Sequence, residues 1–362
     1  MTARRFFENL HHQPLPPWLW PLLPACWVYG LVVRIRCLAY RLGWLKATRL
    51  PVPIISVGNL TTGGTGKTPV VIALARYLLD KKKRVLVLSR GYGARNPQAY
   101  NRATSAEYGD EAYLIQQAVP EAMVIVGKNR VENARQAISE FTPDVILLDD
   151  GYQHLKLARD IDLLLVDAVN GFGNGHLLPL GPLREPLSSL KRASSIVLTK
   201  TIAPEPLRQL DKCILRYATA GAFSLPPIHW PFEASGFFSP AVPELLISEA
   251  EVQNDTSILL CGIARPSSFL ESLSGLGIHI ESARQFIFPD HHNYQASDIE
   301  KIWQQFPEAK ILTTTKDWTK LQRVIPAENW PKVLCLEICP DIKPYHWDQI
   351  LSPIFEKSLS SI

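Results

Sequence analysis

Two kinds of apolar pattern alternate along most of the chain. Short runs of consecutive apolar residues, many of them β-branched, are followed by longer stretches in which apolar residues recur every three or four positions. The first kind predicts buried strands and the second predicts amphipathic helices, so we expect an α/β protein with a parallel sheet. The clearest strand-like runs before residue 200 are 54–57, 85–88, 123–126, 145–148, 161–166 and 195–198.

A stretch rich in proline and aromatic residues, Leu225 to Pro243, interrupts this alternation. The pattern then resumes, with strand-like runs at 258–262, 278–280, 311–317 and 333–336 and helical stretches at 269–276 and 297–306. Since 362 residues are enough for two cores, we predict two α/β domains. The predicted parts are an N-terminal piece over 1–50, a core domain over 51–222, a crossing over 223–243 and a smaller C-terminal domain over 244–362.

The first 50 residues differ from the rest in charge. They hold seven basic residues and one acidic residue, a net charge of +6, whereas the whole chain carries only +4. The other 312 residues are therefore slightly acidic, and the chain lacks the broad basic surface of a nucleic-acid-binding protein. Its six cysteines have neither zinc-site spacing nor the density of a disulfide framework, which indicates reduced thiols.

The N-terminal piece is also apolar. No residue from His11 to Val33 carries a formal charge, and tryptophans and arginines are interleaved with aliphatic residues up to Trp44. This composition favours an amphipathic helix that lies in the membrane interface and contacts anionic lipid. Prolines in the segment argue against a spanning helix. The segment also has no small-residue cleavage site, which argues against a secretory signal. A first helix buried on the core of a soluble domain and a single-pass anchor stay open as alternatives.

A glycine-rich segment follows the run 54–57 and precedes an amphipathic helical stretch. Strand, glycine-rich turn and helix in this order predict a phosphate-binding loop, although Thr61 stands where the usual pattern has glycine. Lys67 is expected to reach the β- and γ-phosphates of a nucleotide, and the Thr68 hydroxyl to hold Mg²⁺. The residues predicted to bind the nucleotide are Gly63, Gly64, Thr65, Gly66, Lys67 and Thr68.

Acidic residues follow two of the other elements. Asp149 and Asp150 come directly after the run 145–148, where a phosphate-loop enzyme holds Mg²⁺. Asp110 and Glu111 open a helical stretch, which is compatible either with helix capping or with catalysis. In the last part of the chain, Asp290 adjoins His291. Such a pair can handle a proton, but two histidines in a loop can equally be solvated residues without a role.

Taken together, these motifs resemble those of the tetraacyldisaccharide 4′-kinase family of lipid A biosynthesis, over nearly the whole chain. The matching segments are 57–60 with 63–69, 89–93, 109–111, 148–154, 181–185, 262–266 and 290–292. Thr61 agrees with the family pattern. Tyr152 stands where phenylalanine is frequent, and in the segment 314–317 Thr315 stands where we expected glutamate; the role of that segment stays open.

The resemblance implies a P-loop NTPase-type parallel sheet domain, a second, smaller α/β domain and an N-terminal membrane-associating helix. It implies an ATP-dependent lipid kinase that transfers the γ-phosphate to the 4′-hydroxyl of tetraacyldisaccharide 1-phosphate and so makes lipid IVA. By this analogy Asp110 is the base, His291 steadied by Asp290 tunes or shares its proton, and closure of the second domain brings His291 to the phosphate loop. Lys67 neutralises phosphate charge.

Further site residues follow from the same resemblance. The implied ligands of Mg²⁺ and its waters are Thr68, Glu111, Asp149 and Asp150. The residues implied to contact substrate or nucleotide phosphates are Asn59, Arg90, Tyr92, His154 and Arg184. The expected location is the cytoplasmic face of the bacterial inner membrane, as a peripheral or monotopic protein. We expect an acylated glucosamine disaccharide as substrate, with no nucleic acid and no obligate protein partner.

A second class of function stays open. A phosphate-loop ATPase or switch that acts on a protein partner would use the same nucleotide motifs. It would hydrolyse ATP without an acceptor, whereas a kinase would be stimulated strongly by one.

Overall fold

The computed structural model describes residues 16–91, 109–201, 204–218, 226–247, 252, 257–263, 265–281, 284–290 and 292–359. The chain forms two compact units. The first unit comprises 1–90, 119–231 and 340–362, and the second comprises 91–118 and 232–339. Two segments are therefore grouped differently from the predicted domains: 91–118 belongs with the second unit, and 340–362 with the first. Sequence patterns group neighbours along the chain, so they do not reveal a segment that leaves its domain and returns.

The regular elements lie as follows. The helices are α1 (Leu23–Arg41), α2 (Lys67–Asp80), α3 (Asp110–Ala118), α4 (Arg130–Phe141), α5 (Pro204–Ala218), α6 (Pro266–Gly275), α7 (Ala296–Gln305), α8 (Thr315–Leu321) and α9 (Pro344–Leu359). The strands are β1 (Ile54–Asn59), β2 (Val85–Ser89), β3 (Met123–Val126), β4 (Val145–Asp149), β5 (Ile161–Asp167), β6 (Ser195–Thr199), β7 (Ile228–Trp230), β8 (Phe232–Ser239), β9 (Val242–Ile247), β10 (Ser257–Cys261), β11 (Gln285–Ile287), β12 (Lys310–Thr314) and β13 (Val333–Pro340).

The first unit is built on a seven-stranded parallel sheet in the order β3-β2-β4-β1-β5-β6-β7. Every residue of β1, β2, β4, β5 and β6 is buried, as expected for apolar strands of a sheet covered on both faces. All six strands predicted before residue 200 are present. Because β4 and β5 lie on opposite sides of β1, the strand order reverses there, and ligands of open α/β sheets bind at such a point.

The second unit contains a six-stranded sheet in the order β11-β10-β12-β13-β8-β9. Strand β10 pairs in parallel with β11 and β12, and β12 pairs in parallel with β13, whereas β8 and β9 form an antiparallel pair. The prediction of a strand at 278–280 was wrong, because this segment has no strand hydrogen bonds and β11 begins only at Gln285. Ile278 is apolar for another reason: it is buried in the core beside Phe269 of α6.

The N-terminal segment forms a 3₁₀ turn, Pro17–Leu22, followed by α1. Pro21 and Pro24 lie in that turn and in the first turn of α1, where proline is tolerated, so α1 is uninterrupted over 19 residues. By length and composition, Pro17–Arg41 is apolar enough to cross a membrane, since an 18-residue window within it has a mean hydropathy of 1.5. Only Cys26 and Gly30 of α1 are buried. At Gly30 a Cβ would lie 2.8 Å from Leu177 Cδ1, so glycine permits the helix to pack closely on the loop after β5.

Candidate functional site

The phosphate loop connects β1 to α2. Gly66 caps α2 with φ 79°, and Gly63 has φ 113°; both values lie in the left-handed region that favours glycine. Gly58 is required for a different reason, since a Cβ there would lie 2.7 Å from Tyr152 Cβ. The loop therefore ends at the N-terminus of a 14-residue helix, where backbone N–H groups and the helix dipole favour an anion.

Two residues at the end of β6 support this loop from behind. The fully buried Thr199 hydroxyl donates a hydrogen bond to the carbonyl of Thr65 at 3.0 Å. The Lys200 ammonium donates to the carbonyl of Gly64 and lies 2.9 Å from Oδ2 of Asp167. These bonds fix the carbonyls of Thr65 and Gly64, and within the loop the Thr65 N–H donates to the carbonyl of Gly63 at 3.2 Å. We did not predict these supporting residues, although their place after a buried strand at the site edge is a usable signal.

Asp150 is held by two cations. Its carboxylate lies 3.5 Å from Nζ of Lys67 and 2.8 Å from Nη1 of Arg184. Burial alone would raise the pKa of Asp150, but the charges of Lys67, Arg184 and Arg130 outweigh burial and lower the pKa to about 2. Asp150 is therefore ionised at physiological pH and fixes both cations beside the phosphate loop.

Asp149 is the last residue of β4 and only 1% exposed. Its Oδ2 accepts a hydrogen bond from the Ser89 hydroxyl at 3.1 Å. The backbone carbonyls of Asp149 and Asp150 accept hydrogen bonds from the guanidinium of Arg130, at 2.7 and 3.2 Å. Arg130 is itself buried, and the sequence prediction overlooked it. It fixes the turn that carries both acids.

Asn59, the last residue of β1, is buried, and His154, which follows β4, is half-buried. The side-chain amide of Asn59 is fully buried and has no hydrogen-bond partner among the described residues. Its backbone carbonyl accepts a hydrogen bond from Gln153 Nε2 at 2.8 Å. Burial, reinforced by the cations around it, lowers the pKa of His154 to about 4. The imidazole is therefore neutral at pH 7.

The loop from Gly181 to Glu185 is hydrogen-bonded both to the segment that leads into the phosphate loop and to α1. The Arg184 N–H donates to the carbonyl of Leu60 at 2.7 Å, and the Tyr29 hydroxyl donates to the carbonyl of Arg184 at 2.8 Å. Arg36, also on α1, donates to the carbonyl of Gln153 at 2.6 Å. Helix α1 is thus hydrogen-bonded to the segments that carry Arg184 and His154.

The outward side of α1 is apolar. Its exposed large apolar residues are between 48% and 67% accessible, and they are Trp27, Val28, Leu31, Val32, Ile35 and Leu38. A pocket lies where α1 meets the loop after β5, and Arg34, His176 and Ser188 are the polar residues among those that line it. Other residues that line it are Cys26, Trp27, Leu177, Leu187 and Tyr217. A helix packed on its own core would bury such side chains, whereas these side chains of α1 are exposed.

The second unit contains the other predicted acidic residues. Asp110 and Glu111 open α3. Asp110 Oδ2 lies 3.1 Å from Nζ of Lys320, whereas the Glu111 side chain is exposed. Asp290 Oδ1 lies 3.7 Å from Nζ of Lys316.

His292 has structural contacts. It stacks on Phe288, with ring centroids 4.5 Å apart, and its Nε2 lies 3.3 Å from Asp298 Oδ2.

His291 and Tyr92 lie outside the described residues. Arg90 is exposed after β2, and its like charge adds to burial in lowering the pKa of Arg130.

The site residues thus form two groups. The first unit brings together Lys67, Asp149, Asp150 and Arg184, and the second unit holds Asp110 and Asp290. Within the described part of the chain, no three His, Cys, Asp or Glu side chains cluster closely enough to hold a metal by themselves.

Comparison with known proteins gives concordant matches. Residues 18–355 match the family model described as tetraacyldisaccharide-1-P 4′-kinase (LpxK). The tetraacyldisaccharide 4′-kinase of Anaeromyxobacter dehalogenans is 38% identical over 319 residues, which cover 85% of this chain and 82% of that relative. The enzyme of the same name from Geobacter sulfurreducens is 38% identical over 312 residues, which cover 83% of each.

A solved structure is similar over almost the same length. It is the crystal structure of an "apo" form of LpxK from Aquifex aeolicus in complex with ATP, which is 30% identical to this chain. The match covers 92% of this chain and 98% of that one, with a TM-score of 0.70.

Proposed function

Because the chain belongs to the tetraacyldisaccharide-1-P 4′-kinase family, we propose that it transfers the γ-phosphoryl group of ATP to the 4′-hydroxyl of a tetraacyldisaccharide 1-phosphate. The comparisons confirm the predicted family, fold class and kinase activity, and the chain is an ATP-dependent kinase of lipid A biosynthesis. The observation that carries the residue roles is the group around the phosphate loop, in which Lys67, Asp150 and Arg184 are held together.

ATP is proposed to bind with its phosphates on the N–H groups of Gly63–Gly66 and at the N-terminus of α2. Lys67 and Arg184 would neutralise phosphate charge, and the buried Asn59 amide has hydrogen-bonding capacity left for substrate or nucleotide. Mg²⁺ suits the oxygen donors at this place, Thr68, Asp149 and Asp150, and bound Mg²⁺ would neutralise charge on the transferred group. Other ligands would come from phosphate oxygens, water and Glu111.

Asp110 is proposed as the general base. It takes the proton of the 4′-hydroxyl while the sugar oxygen bonds to the γ-phosphorus and the bond from that phosphorus to the β,γ-bridging oxygen breaks, so that ADP leaves. His291, steadied by Asp290, is proposed to tune or share this proton. Arg90, Tyr92 and His154 are proposed to contact the substrate or the nucleotide phosphates, and His154 would do so as a neutral hydrogen-bonding group.

The lipid substrate implies a place at a membrane. We propose that the outward side of α1 docks on the anionic cytoplasmic face of the bacterial inner membrane. Its exposed tryptophan and aliphatic residues support apolar insertion, and Arg34, Arg36 and Arg41 supply positive charge. The bonds from Tyr29 and Arg36 to the site loops would keep the substrate headgroup near the phosphate loop.

The test is transfer of label from γ-labelled ATP to a tetraacyldisaccharide 1-phosphate in detergent micelles. We expect labelled lipid with wild type, slow ATP hydrolysis without lipid and strong stimulation by it. An acceptor lacking only the 4′-hydroxyl is the matched control and should stay unlabelled. Equal ATP hydrolysis with and without lipid, with no label on the lipid, would instead support an ATPase or switch with a protein partner.

A further inference from the structure

Helix α8 contacts both acidic residues of the second unit that are proposed to handle the proton. Its lysines at positions 316 and 320 are four residues apart and so lie on the same side of the helix. Lys320 Nζ is 3.1 Å from Asp110 Oδ2, and Lys316 Nζ is 3.7 Å from Asp290 Oδ1. The segment 314–317, whose role the sequence left open, therefore pairs with Asp290 through Lys316, and the next turn of the same helix pairs with Asp110 through Lys320.

The contact between Lys320 and Asp110 is not a solvated surface pair. Lys320 is 8% exposed, and the Asp110 side chain is 19% exposed. A lysine buried to this degree is stabilised by a carboxylate partner, because an isolated ammonium would lose its hydration without compensation. One turn further along α3, the Tyr113 hydroxyl donates to Oε1 of Gln322 at 3.5 Å. The start of α3 is thus attached to the end of α8 at two points.

Asp317 fixes the other end of α8. This residue is 1% exposed and accepts hydrogen bonds from the Gly262 N–H at 3.1 Å and from the Tyr294 hydroxyl at 2.9 Å. It is also bonded to the Thr314 hydroxyl at 2.8 Å, which caps the helix. Gly262 follows β10, and Tyr294 lies four residues after Asp290. The helix is therefore anchored independently of its lysines, as a frame for positioning other groups must be.

From this arrangement we propose that Lys320 is a positioning residue for phosphoryl transfer: it holds the Asp110 carboxylate in the orientation that accepts the proton of the acceptor hydroxyl. Lys320 acts through Asp110 and does not itself contact substrate. The inference rests on the proposed function, in which Asp110 is the base. Orientation of a catalytic group within a fraction of an ångström affects the rate of the chemical step more than it affects substrate binding.

The test is a double-mutant cycle on full-length protein, with the variants Lys320→Met, Asp110→Asn and both together. We expect Lys320→Met to lower kcat at least tenfold while KM for ATP stays within twofold of wild type. Lys320→Arg, which keeps the charge, should recover most of the rate. The kcat of the double variant should lie within a factor of two of the kcat of Asp110→Asn, because the lysine has no role once the carboxylate is absent.

A merely structural ion pair gives different results. The kcat losses would then multiply in the double variant, or kcat would stay near the wild-type value, and either result overturns the proposal. Lys332→Met is the matched control, since Lys332 pairs with the exposed Glu308 in the same unit. If Lys320→Met does not fold, Lys320→Gln replaces it in the same cycle.

The two proposals fail in distinguishable ways. Near-wild-type kcat in Asp110→Asn would refute the proposed base and the positioning role together. An inactive Asp110→Asn beside a fully active Lys320→Met would refute the positioning role alone.

Discussion

Thr199 and Lys200 lie at the end of β6, yet both donate hydrogen bonds to carbonyl groups of the phosphate loop. A loop of consecutive glycines has many conformations available, and fixing one of them costs conformational entropy. Donors that engage the carbonyls of Gly64 and Thr65 before the nucleotide arrives reduce the part of this cost that falls on binding. The loop is thus ordered by residues that a nucleotide-binding motif does not contain.

We therefore expect Thr199→Val to weaken ATP binding about tenfold, or about 1.4 kcal/mol, because the buried Thr65 carbonyl loses its donor while the side-chain volume is kept. Isothermal titration of the protein with ATP measures the change. Ser195→Ala, at the other end of the same strand, should leave the affinity within twofold. An unchanged affinity in Thr199→Val would show that the glycine loop is ordered without this bond.

His154 gives a prediction about pH. Its pKa is lowered to about 4 in the folded protein and is about 6.5 in the unfolded chain, so below pH 6.5 the unfolded state binds the additional proton. This group therefore lowers stability progressively as the pH falls from about 6.5 to 4, and has no such effect above that range. Because the side chain is partly exposed, the loss by pH 5.0 is expected to be about 1 kcal/mol.

Urea unfolding at pH 7.5 and pH 5.0 measures this loss. Wild type should lose about 1 kcal/mol more of its free energy of unfolding than His154→Asn over that interval. His279→Asn, which replaces an exposed histidine, is the control. Equal losses in wild type and His154→Asn would mean that the imidazole is not held in its neutral form.

Among the elements, α1 carries the most unusual surface. Its inward side is formed by small or short residues such as Cys26 and Gly30, and its outward side by large apolar ones. Water is a poor solvent for such a surface, since burying each large apolar side chain gains about 1.5–3 kcal/mol. For the proposed docking on a membrane, the arginines near the C-terminal end of α1 would favour a surface that also carries negative charge.

We expect Trp27→Ser combined with Leu31→Ser to weaken binding to vesicles of phosphatidylglycerol and phosphatidylcholine by at least tenfold. Vesicle cosedimentation measures binding, and label transfer to a water-soluble, short-chain acceptor should be affected much less. Val169→Ser, at an apolar position of the first unit that is 50% exposed, is the control. Unchanged cosedimentation of the double variant would refute docking through this side of α1.

Among the elements, the sequence was most informative for strands of a sheet that is covered on both faces. The strands β1 to β6 were predicted because parallel strands read as continuous apolar runs. The sheet partners β8 and β9 were missed, since prolines and aromatic residues there resemble a connection more than a strand. The pair of Asp110 with Lys320 could not be predicted either, because it joins residues far apart in the chain and depends on how α3 packs against α8.

The two units divide the proposed chemistry between them. Lys67, Asp149, Asp150 and Arg184 belong to the first unit, whereas Asp110 and Asp290 belong to the second, although Asp110 precedes most of the first unit in the chain. This division was not apparent from the sequence, because the segment 91–118 interrupts an otherwise regular α/β pattern. It leads to a prediction: the groups proposed to bind ATP and the group proposed to take the proton should be separable by mutation.

We expect Lys67→Met to raise the dissociation constant of ATP at least tenfold, because an ammonium is removed from the phosphate site. Asp110→Asn should leave that constant within twofold of wild type while it abolishes transfer to lipid, because the lost group acts only when the acceptor hydroxyl reacts. ATP titration and label transfer on the same preparations separate the two effects. If Asp110→Asn weakens ATP binding as much as Lys67→Met does, Asp110 belongs to the nucleotide site and the proposed division of roles between the units is wrong.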